Sequence, residues 1–142
     1  MDLEKQLFHT EAALKAAKER IATLEKSEAQ LNSILDCLSE SVERSLPDNT
    51  LTYVNKTFCD FYQVKREDVL HTDTMRLVYD QDREKIADIL RYLSPEQPSY
   101  HYLCRALRSD GKVIWVEFFG HAFFDENGKV LEYQDVCRDI TG

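Results

Sequence analysis

The chain has 142 residues, of which 43% are apolar and 31% are charged, and this composition fits one globular domain with an extension rather than two domains. The net charge of −8 at pH 7 is spread over both halves of the chain, so direct binding of nucleic acid through a basic face is not expected. The sequence has no apolar run of ~18 residues and no secretory-type beginning, so neither a membrane span nor a signal peptide is expected.

Residues 1–38 contain no glycine or proline, and their apolar residues recur with the heptad spacing of a coiled coil. This pattern predicts one long helix that pairs with a second copy of the chain. The seam is imperfect, because Thr10 and Glu28 occupy core positions. Either the coiled coil ends or stutters at Glu28, or a weak point there lets the two helices shift relative to each other. The predicted seam and dimer residues include Leu7, Leu14, Ile21, Leu24, Leu31 and Leu35.

From residue 39 the pattern changes to short strands and helices, so we place the folded domain at 39–142. Turn-forming residues at 47–50 separate two strands of a predicted hairpin. Helical segments follow, and three strands rich in aromatic and β-branched residues complete an α+β pattern. The predicted strands are 42–46, 51–54, 99–107, 113–124 and 130–138, and the predicted helices are 56–62, 66–70 and 82–93.

Short motifs occur along these elements in a fixed order. They are Tyr53-Val54-Asn55, Asp82-Arg83-Glu84, Asp110-Gly111, Trp115-Val116-Glu117, Asp125-Glu126-Asn127-Gly128 and Asp139-Ile140-Thr141. In this order and at this spacing they resemble the motifs of PAS sensor domains. The resemblance implies a five-stranded antiparallel sheet in the order 2-1-5-4-3, with helices on one face. It also implies that Asp139 and Thr141 lie at the junction where the sensor ends and an output helix begins.

The resemblance also orients the last three strands and predicts which side chains point toward the helices. Most are apolar, as a core requires. Asp135 is the exception, because a buried carboxylate is costly unless it is paired, protonated or bound to a ligand. It is either a structural residue at a strand distortion, which a one-residue slip of register would turn outward, or an anchor for a small ligand or water cluster. The predicted ligand-pocket residues are Tyr102, Cys104, Ala106, Val116, Phe118, Tyr133, Asp135 and Cys137, and Gly120 is also predicted to point inward.

The opposite face of the sheet is predicted to carry a row of aromatic residues that includes Trp115 and Phe119, with Glu117, His121 and Val136 beside them. Exposed aromatic residues in a row are typical of a partner surface. We therefore expect Trp115 and Phe119 to contact the N-terminal helix of the same chain or a second subunit.

No catalytic function is expected, since the chain has no nucleophile with its base and no phosphate-binding glycine loop. The four cysteines, at 37, 59, 104 and 137, form no Cys-x-x-Cys pair and have no histidine at metal-ligand spacing. We therefore expect neither a zinc site nor disulfides, and we predict a cytoplasmic location.

Two positions in the sequence test whether the chain could use the flavin or haem cofactors of other PAS domains. Light-sensing flavin PAS domains need a cysteine that adds to the flavin, and the resemblance places Thr74 there. Because a hydroxyl lacks the nucleophilicity of a thiolate, flavin photochemistry is excluded. Haem is not expected, because His71 stands alone and the helix after it has no histidine.

Two functions stay open. In the first, the domain is a sensor that binds a small ligand between its long helix and its sheet and signals through coiled-coil helices to an attached output domain. The resemblance implies an output such as a histidine kinase, a cyclic-dinucleotide enzyme or a transcription regulator. In the second, the domain is a ligand-free dimerisation module whose core is filled by Tyr102, Phe118 and Tyr133. A ligand-sized cavity among these residues would favour the sensor.

Overall fold

The computed structural model describes residues 2–141, which form two compact units, one up to Ile34 and one from Leu35 onward. The helices are α1 (Leu3–Asp36), α2 (Lys56–Tyr62), α3 (Arg66–Val69) and α4 (Asp80–Arg91), with a 3-10 turn at Thr74–Leu77. The strands are β1 (Ser41–Ser45), β2 (Leu51–Val54), β3 (Ser99–Leu107), β4 (Val113–Phe124) and β5 (Val130–Asp139).

The first unit is formed by α1 up to Ile34, and none of the described residues of this helix is buried. The predicted long helix is therefore present, and its heptad side chains from Leu7 to Leu31 lie mostly open to solvent. None of the helices in residues 2–141 is both long and apolar enough to cross a membrane.

The second unit is built on one antiparallel sheet with the strand order β2-β1-β5-β4-β3, as predicted. Side chains alternate between buried and exposed along β3, which is the pattern of a sheet covered on one face. The core between sheet and helices includes Leu51, Phe58, Tyr62, Ile86 and Val116.

Helix α4 begins at Asp80, two residues before its predicted start. Acidic residues in its first turn complement the positive end of the helix dipole. Asp82 also accepts hydrogen bonds from the backbone N–H of Arg105 at 2.7 Å and from its guanidinium at 2.7 and 3.0 Å. These bonds lower the pKa of Asp82 and attach the start of α4 to β3.

Some loop positions with the backbone conformation that favours glycine hold other residues in this chain. Gln63 and His71 both have the left-handed backbone conformation, with φ of 58° and 67°. The chain thus keeps the loop geometry that glycine would allow, at a cost of about 1–2 kcal/mol per residue. His71 is exposed.

Candidate functional site in the sheet core

All eight predicted ligand-pocket residues are buried, and they separate into two groups. Cys104, Ala106, Val116 and Cys137 belong to the apolar core. The other four line a small internal cavity of about 20 Å³, which lies between the sheet, the 3-10 turn and α4. The complete lining is Glu43, Ser45, Asn49, Thr74, Met75, Val78, Leu90, Tyr100, Tyr102, Phe118, Tyr133 and Asp135.

Asp135 points into this core and is only 8% exposed. Its Oδ1 accepts a hydrogen bond of 2.6 Å from the Tyr100 hydroxyl on β3. The register places Asp135 opposite Glu43 of β1 on one side and opposite Gly120 of β4 on the other. The register slip that would have turned this carboxyl outward does not occur.

Glu43 is the second acid of the site, and sequence reasoning did not identify it. It is 4% exposed, and its Oε2 accepts a hydrogen bond of 3.0 Å from the Thr74 hydroxyl. Thr74 is the residue that stands at the flavin-cysteine position of light-sensing PAS domains. The inward residues of β1 are Ser41, Glu43 and Ser45, so this strand has no apolar alternation that would have marked its buried face.

The environment of both carboxyl groups favours the protonated form. Burial raises the pKa of Asp135 to about 7. Burial, and next the negative charge of Asp135, raise the pKa of Glu43 to about 8. Two facing acids in one apolar site cannot both ionise without a large cost, so the pair holds a proton near neutral pH. The charge of this cluster can therefore change in the physiological range.

Gly120 makes room for the hydrogen bond between Tyr100 and Asp135. A Cβ atom on this glycine would lie 2.1 Å from Cζ of Tyr100 and 2.3 Å from Oδ1 of Asp135. Only a residue without a side chain lets the tyrosine ring cross β4 at this point. The sequence predicted that Gly120 points inward but gave no reason for the glycine.

Replacing Gly120 with alanine should lower the free energy of unfolding by about 2–4 kcal/mol, because the methyl group overpacks the core and displaces the buried hydrogen bond. Urea denaturation followed by far-UV circular dichroism measures this loss. In a Tyr100→Ala background the same substitution should cost much less, since the ring it meets is gone. Equal costs in both backgrounds would show that the ring does not require the glycine.

A much larger cleft of about 860 Å³ lies elsewhere on the domain, among the segments around α2 and α3 and the β3–β4 turn. Its lining includes charged residues of both signs. None of the predicted ligand-pocket residues belongs to this lining. No motif in the sequence indicated this cleft. Its lining is Cys59, Asp60, Gln63, Val64, Lys65, Asp68, Val69, Thr72, Asp73, Arg76, Leu77, Leu107, Arg108, Ser109 and Gly111.

The outer face of the sheet carries Trp115 and Phe119, and both are partly exposed, as predicted. The Arg105 guanidinium lies 5.4 Å from the Trp115 ring centroid, and the His101 ring stacks on Phe119 with centroids 4.6 Å apart. A groove of about 720 Å³ on this face has a mixed lining of apolar and polar side chains, and the polar ones include His101, His121 and Gln134 as well as Tyr100 and Asp135. The buried acid therefore lies between the internal cavity and the outer groove.

The end of the domain is attached to β4 through Trp115. The backbone N–H of Trp115 donates to the Thr141 hydroxyl at 3.0 Å, and the backbone N–H of Ile140 donates to the Trp115 carbonyl at 3.0 Å. Asp139 accepts from the Thr141 N–H at 2.8 Å. The predicted junction residues Asp139 and Thr141 thus close a turn that is fixed to the sheet.

The start of the domain is fixed by Asn55, which caps α2 and is fully buried. Its side-chain oxygen accepts from the N–H groups of Val42 and Phe58 at 3.0 and 2.9 Å. Its amide nitrogen donates to the carbonyls of Leu35 and Glu40 at 2.9 and 3.0 Å. One side chain therefore joins the segment before β1 to the body of the domain.

The sheet order, the helices on one face and the polar cluster between them define a small α+β domain of the class found in sensor proteins. The chain belongs to the PAS domain family, whose model matches residues 40–142. Among curated proteins, none matches the chain.

Solved PAS domains share this fold at low sequence identity. The PAS domain of an HTR-like protein from Haloarcula marismortui is 22% identical, with a TM-score of 0.71 over 87% of this chain and 99% of that chain. A PAS domain from Colwellia psychrerythraea is 20% identical, with a TM-score of 0.71 over 83% of this chain and 98% of that chain. A PAS domain from a two-component sensor histidine kinase is 18% identical, with a TM-score of 0.66 over 83% and 98% of the two chains.

Proposed function

We propose that this chain is the sensory module of a signal-transduction protein, in which the state of the Glu43–Asp135 pair is passed to coiled-coil helices and an output domain. The observation that carries the proposal is the position of the pair. Glu43 lies on β1, the first strand of the domain, and Asp135 lies opposite it on β5, the last strand. A change in the pair acts on the two strands that lead to the flanking segments.

Each of these strands has a direct connection to a domain boundary. The Asn55 side chain accepts a hydrogen bond from the Val42 N–H at the start of β1. It also donates one to the carbonyl of Leu35, a residue of the predicted seam. At the other end, β5 runs into the turn that Thr141 fixes to Trp115. A shift of β1 against β5 would therefore move the points where the chain enters and leaves the domain.

The outer groove supports the same route. Because Asp135 and Tyr100 line both the cavity and the groove, a change in their hydrogen bond alters the surface where a helix or second subunit would pack. Such signalling needs a coupling free energy of only ~1–3 kcal/mol, which is a 5–150-fold change in an equilibrium. The mechanism is a shift between two populated states, without bond chemistry.

The dimer dissociation constant tests this function. We compare the wild-type chain with Glu43→Gln/Asp135→Asn by sedimentation equilibrium at about pH 8.5, above the raised pKa values of about 7 and about 8 of the wild-type carboxyls. Because the variant fixes the pair in a neutral state, its dissociation constant should differ ~5–150-fold from that of the wild type. Equal constants in two folded proteins would contradict transmission from the pair.

The seam is tested separately by Leu24→Asp/Leu31→Asp, which should make the chain monomeric because like charges would face each other in the dimer core. A matched control is Ala22→Asp/Ala29→Asp, which adds the same charges at the same spacing outside the predicted seam and should stay dimeric. Sedimentation velocity distinguishes the two. A dimer that survives the leucine substitutions would place the contact elsewhere, with the outer sheet face as the next surface to test.

A second function is a dimerisation module with a filled core. It is favoured by the small volume of the cavity and by the stacking of Tyr102 on Phe118, whose ring centroids lie 5.0 Å apart. Such a module would dimerise with the same dissociation constant whatever the state of the Glu43–Asp135 pair.

A further inference from the structure

We propose that the internal cavity is a binding site for an ammonium group, either the free ammonium ion or the head of a very small primary amine, held between the carboxyl groups of Glu43 and Asp135. The inference rests on the proposed function and specifies its ligand.

The size of the cavity restricts the ligand first. A volume of about 20 Å³ accommodates one particle of the size of water, for which ~10–15 Å³ is needed. Sites for ordinary organic ligands span ~300–1,000 Å³. Ammonium has nearly the size of water, so it fits without a rearrangement of the core.

The charge of the lining is the second argument. Glu43 and Asp135 are the cavity's acidic residues, and none of the described residues that line it is Lys, Arg or His. Elsewhere in the domain, shielded acids are paired with arginine, as Asp82 is with Arg105 and Glu132 is with Arg44. The inner pair lacks such a partner, so in the domain alone it relies on a bound proton, and a cation in the cavity would instead stabilise its ionised form.

The third argument is the set of hydrogen-bonding groups left unused. Among the described residues, Glu43 accepts only from Thr74 and Asp135 only from Tyr100, so each carboxyl keeps one oxygen without a partner. The hydroxyls of Tyr102 and Tyr133 also have no hydrogen-bond partner in residues 2–141, although these residues are only 9% and 7% exposed and line the cavity. The protein does not fully enclose these oxygens, so a particle in the cavity can reach them and donate the hydrogen bonds that the described residues leave unmade.

The aromatic part of the lining selects ammonium over metal ions. Tyr100 and Tyr102 are stacked with centroids 6.0 Å apart, and Tyr133 meets Tyr100 edge-on at 6.4 Å. Aromatic faces attract ammonium groups, whereas hard metal ions such as calcium require six or more oxygen ligands. The lining also includes the polar residues Ser45, Asn49 and Thr74, but Met75, Val78, Leu90 and Phe118 are apolar, and a cavity of about 20 Å³ has no room for the waters that would complete such a shell.

The test is a thermal-unfolding titration of the purified chain with ammonium chloride at neutral pH, with tetramethylammonium chloride keeping the ionic strength constant. Tetramethylammonium has no N–H donor and is too large for the cavity. Ammonium should raise the melting temperature along a saturating curve, as a ligand of the native state does. Methylammonium distinguishes an amine head from the free ion: if it saturates more tightly than ammonium, the ligand is an amine. Potassium chloride should have no effect, and an equal response to potassium would overturn the assignment.

Two variants connect the effect to the cavity. Tyr102→Phe removes a hydroxyl that has no protein partner, so it should fold normally yet raise the ammonium concentration at half-saturation several-fold. Tyr92→Phe makes the same change on an exposed ring and should leave the titration unchanged. Glu43→Gln/Asp135→Asn should abolish the response, and a wild-type response in this double variant or in Tyr102→Phe would overturn the proposal.

The outcome is separable from that of the proposed function. A saturating ammonium effect with an unchanged dimer dissociation constant would retain the site and reject the transmission. If the dimer dissociation constant depends on the pair but ammonium does not change the melting temperature, the ammonium site is rejected and the transmission is retained.

Discussion

Replacing Asn55 with alanine should destabilise the domain by about 3–5 kcal/mol, which is a large effect for one substitution. The side chain is fully buried and makes four hydrogen bonds. Alanine leaves the N–H groups of Val42 and Phe58 and the carbonyl of Glu40 without this partner, and each group that stays shielded from water costs about 1–3 kcal/mol. The Leu35 carbonyl still accepts from the Leu38 N–H at 3.2 Å. Water that enters the site would bond some of these groups, so the loss of stability is smaller than the sum of their individual costs.

The loss is measured by urea denaturation, with the fluorescence of Trp115, the single tryptophan, as the probe. Asn127→Ala is the matched control, because Asn127 is exposed in the β4–β5 turn and should change stability by less than ~0.5 kcal/mol. If Asn55→Ala cost no more than this control, the four bonds would not hold the segment before β1. Residues 35–40 should also exchange their amide hydrogens faster in the Asn55 variant, since two of its four bonds end in that segment.

The arrangement of the sheet was predictable because its signals are local or strictly periodic. The Asp-Gly and Asn-Gly turns fix the ends of the last three strands, and Gly111 and Gly128 have the positive φ angles that such turns need. Alternation along β3 then assigns Tyr102 and Cys104 to the buried face. The strand order came from the PAS resemblance, since periodicity says nothing about which strands are neighbours.

The site was only half predictable. Asp135 stood out because a carboxylate interrupts an otherwise apolar face, whereas Glu43 lies between serines and interrupts nothing. The pairing of the two acids depends on the register of β1 against β5, which is a contact between distant parts of the chain. The volume of the cavity depends on how Tyr102 stacks on Phe118, and packing of this kind is not encoded in residue types alone.

The Glu43–Asp135 pair should make the domain less stable as the pH rises from about 4 to about 8. Both pKa values are raised in the folded state, so the native protein binds more protons than the unfolded chain between the unfolded and the folded pKa values. Stability therefore falls with pH in this window. The contribution of the pair is complete below pH ~4, where both states are protonated, and it is lost as the pH passes about 7 and 8.

Glu43→Gln/Asp135→Asn should remove this dependence, because amides keep hydrogen-bonding capacity without titrating. At pH 8.5 the variant should exceed the wild type in unfolding free energy by roughly 2–5 kcal/mol, and near pH 4 the difference should be small. Urea denaturation at the two pH values measures both differences. The control Asp68→Asn/Glu126→Gln removes the same formal charge at exposed positions and should shift stability equally little at each pH. A wild-type stability that rises from pH 5 to pH 8, with the double variant unchanged relative to it, would mean that the two carboxyls ionise freely, and the cluster would then have no energetic basis for sensing.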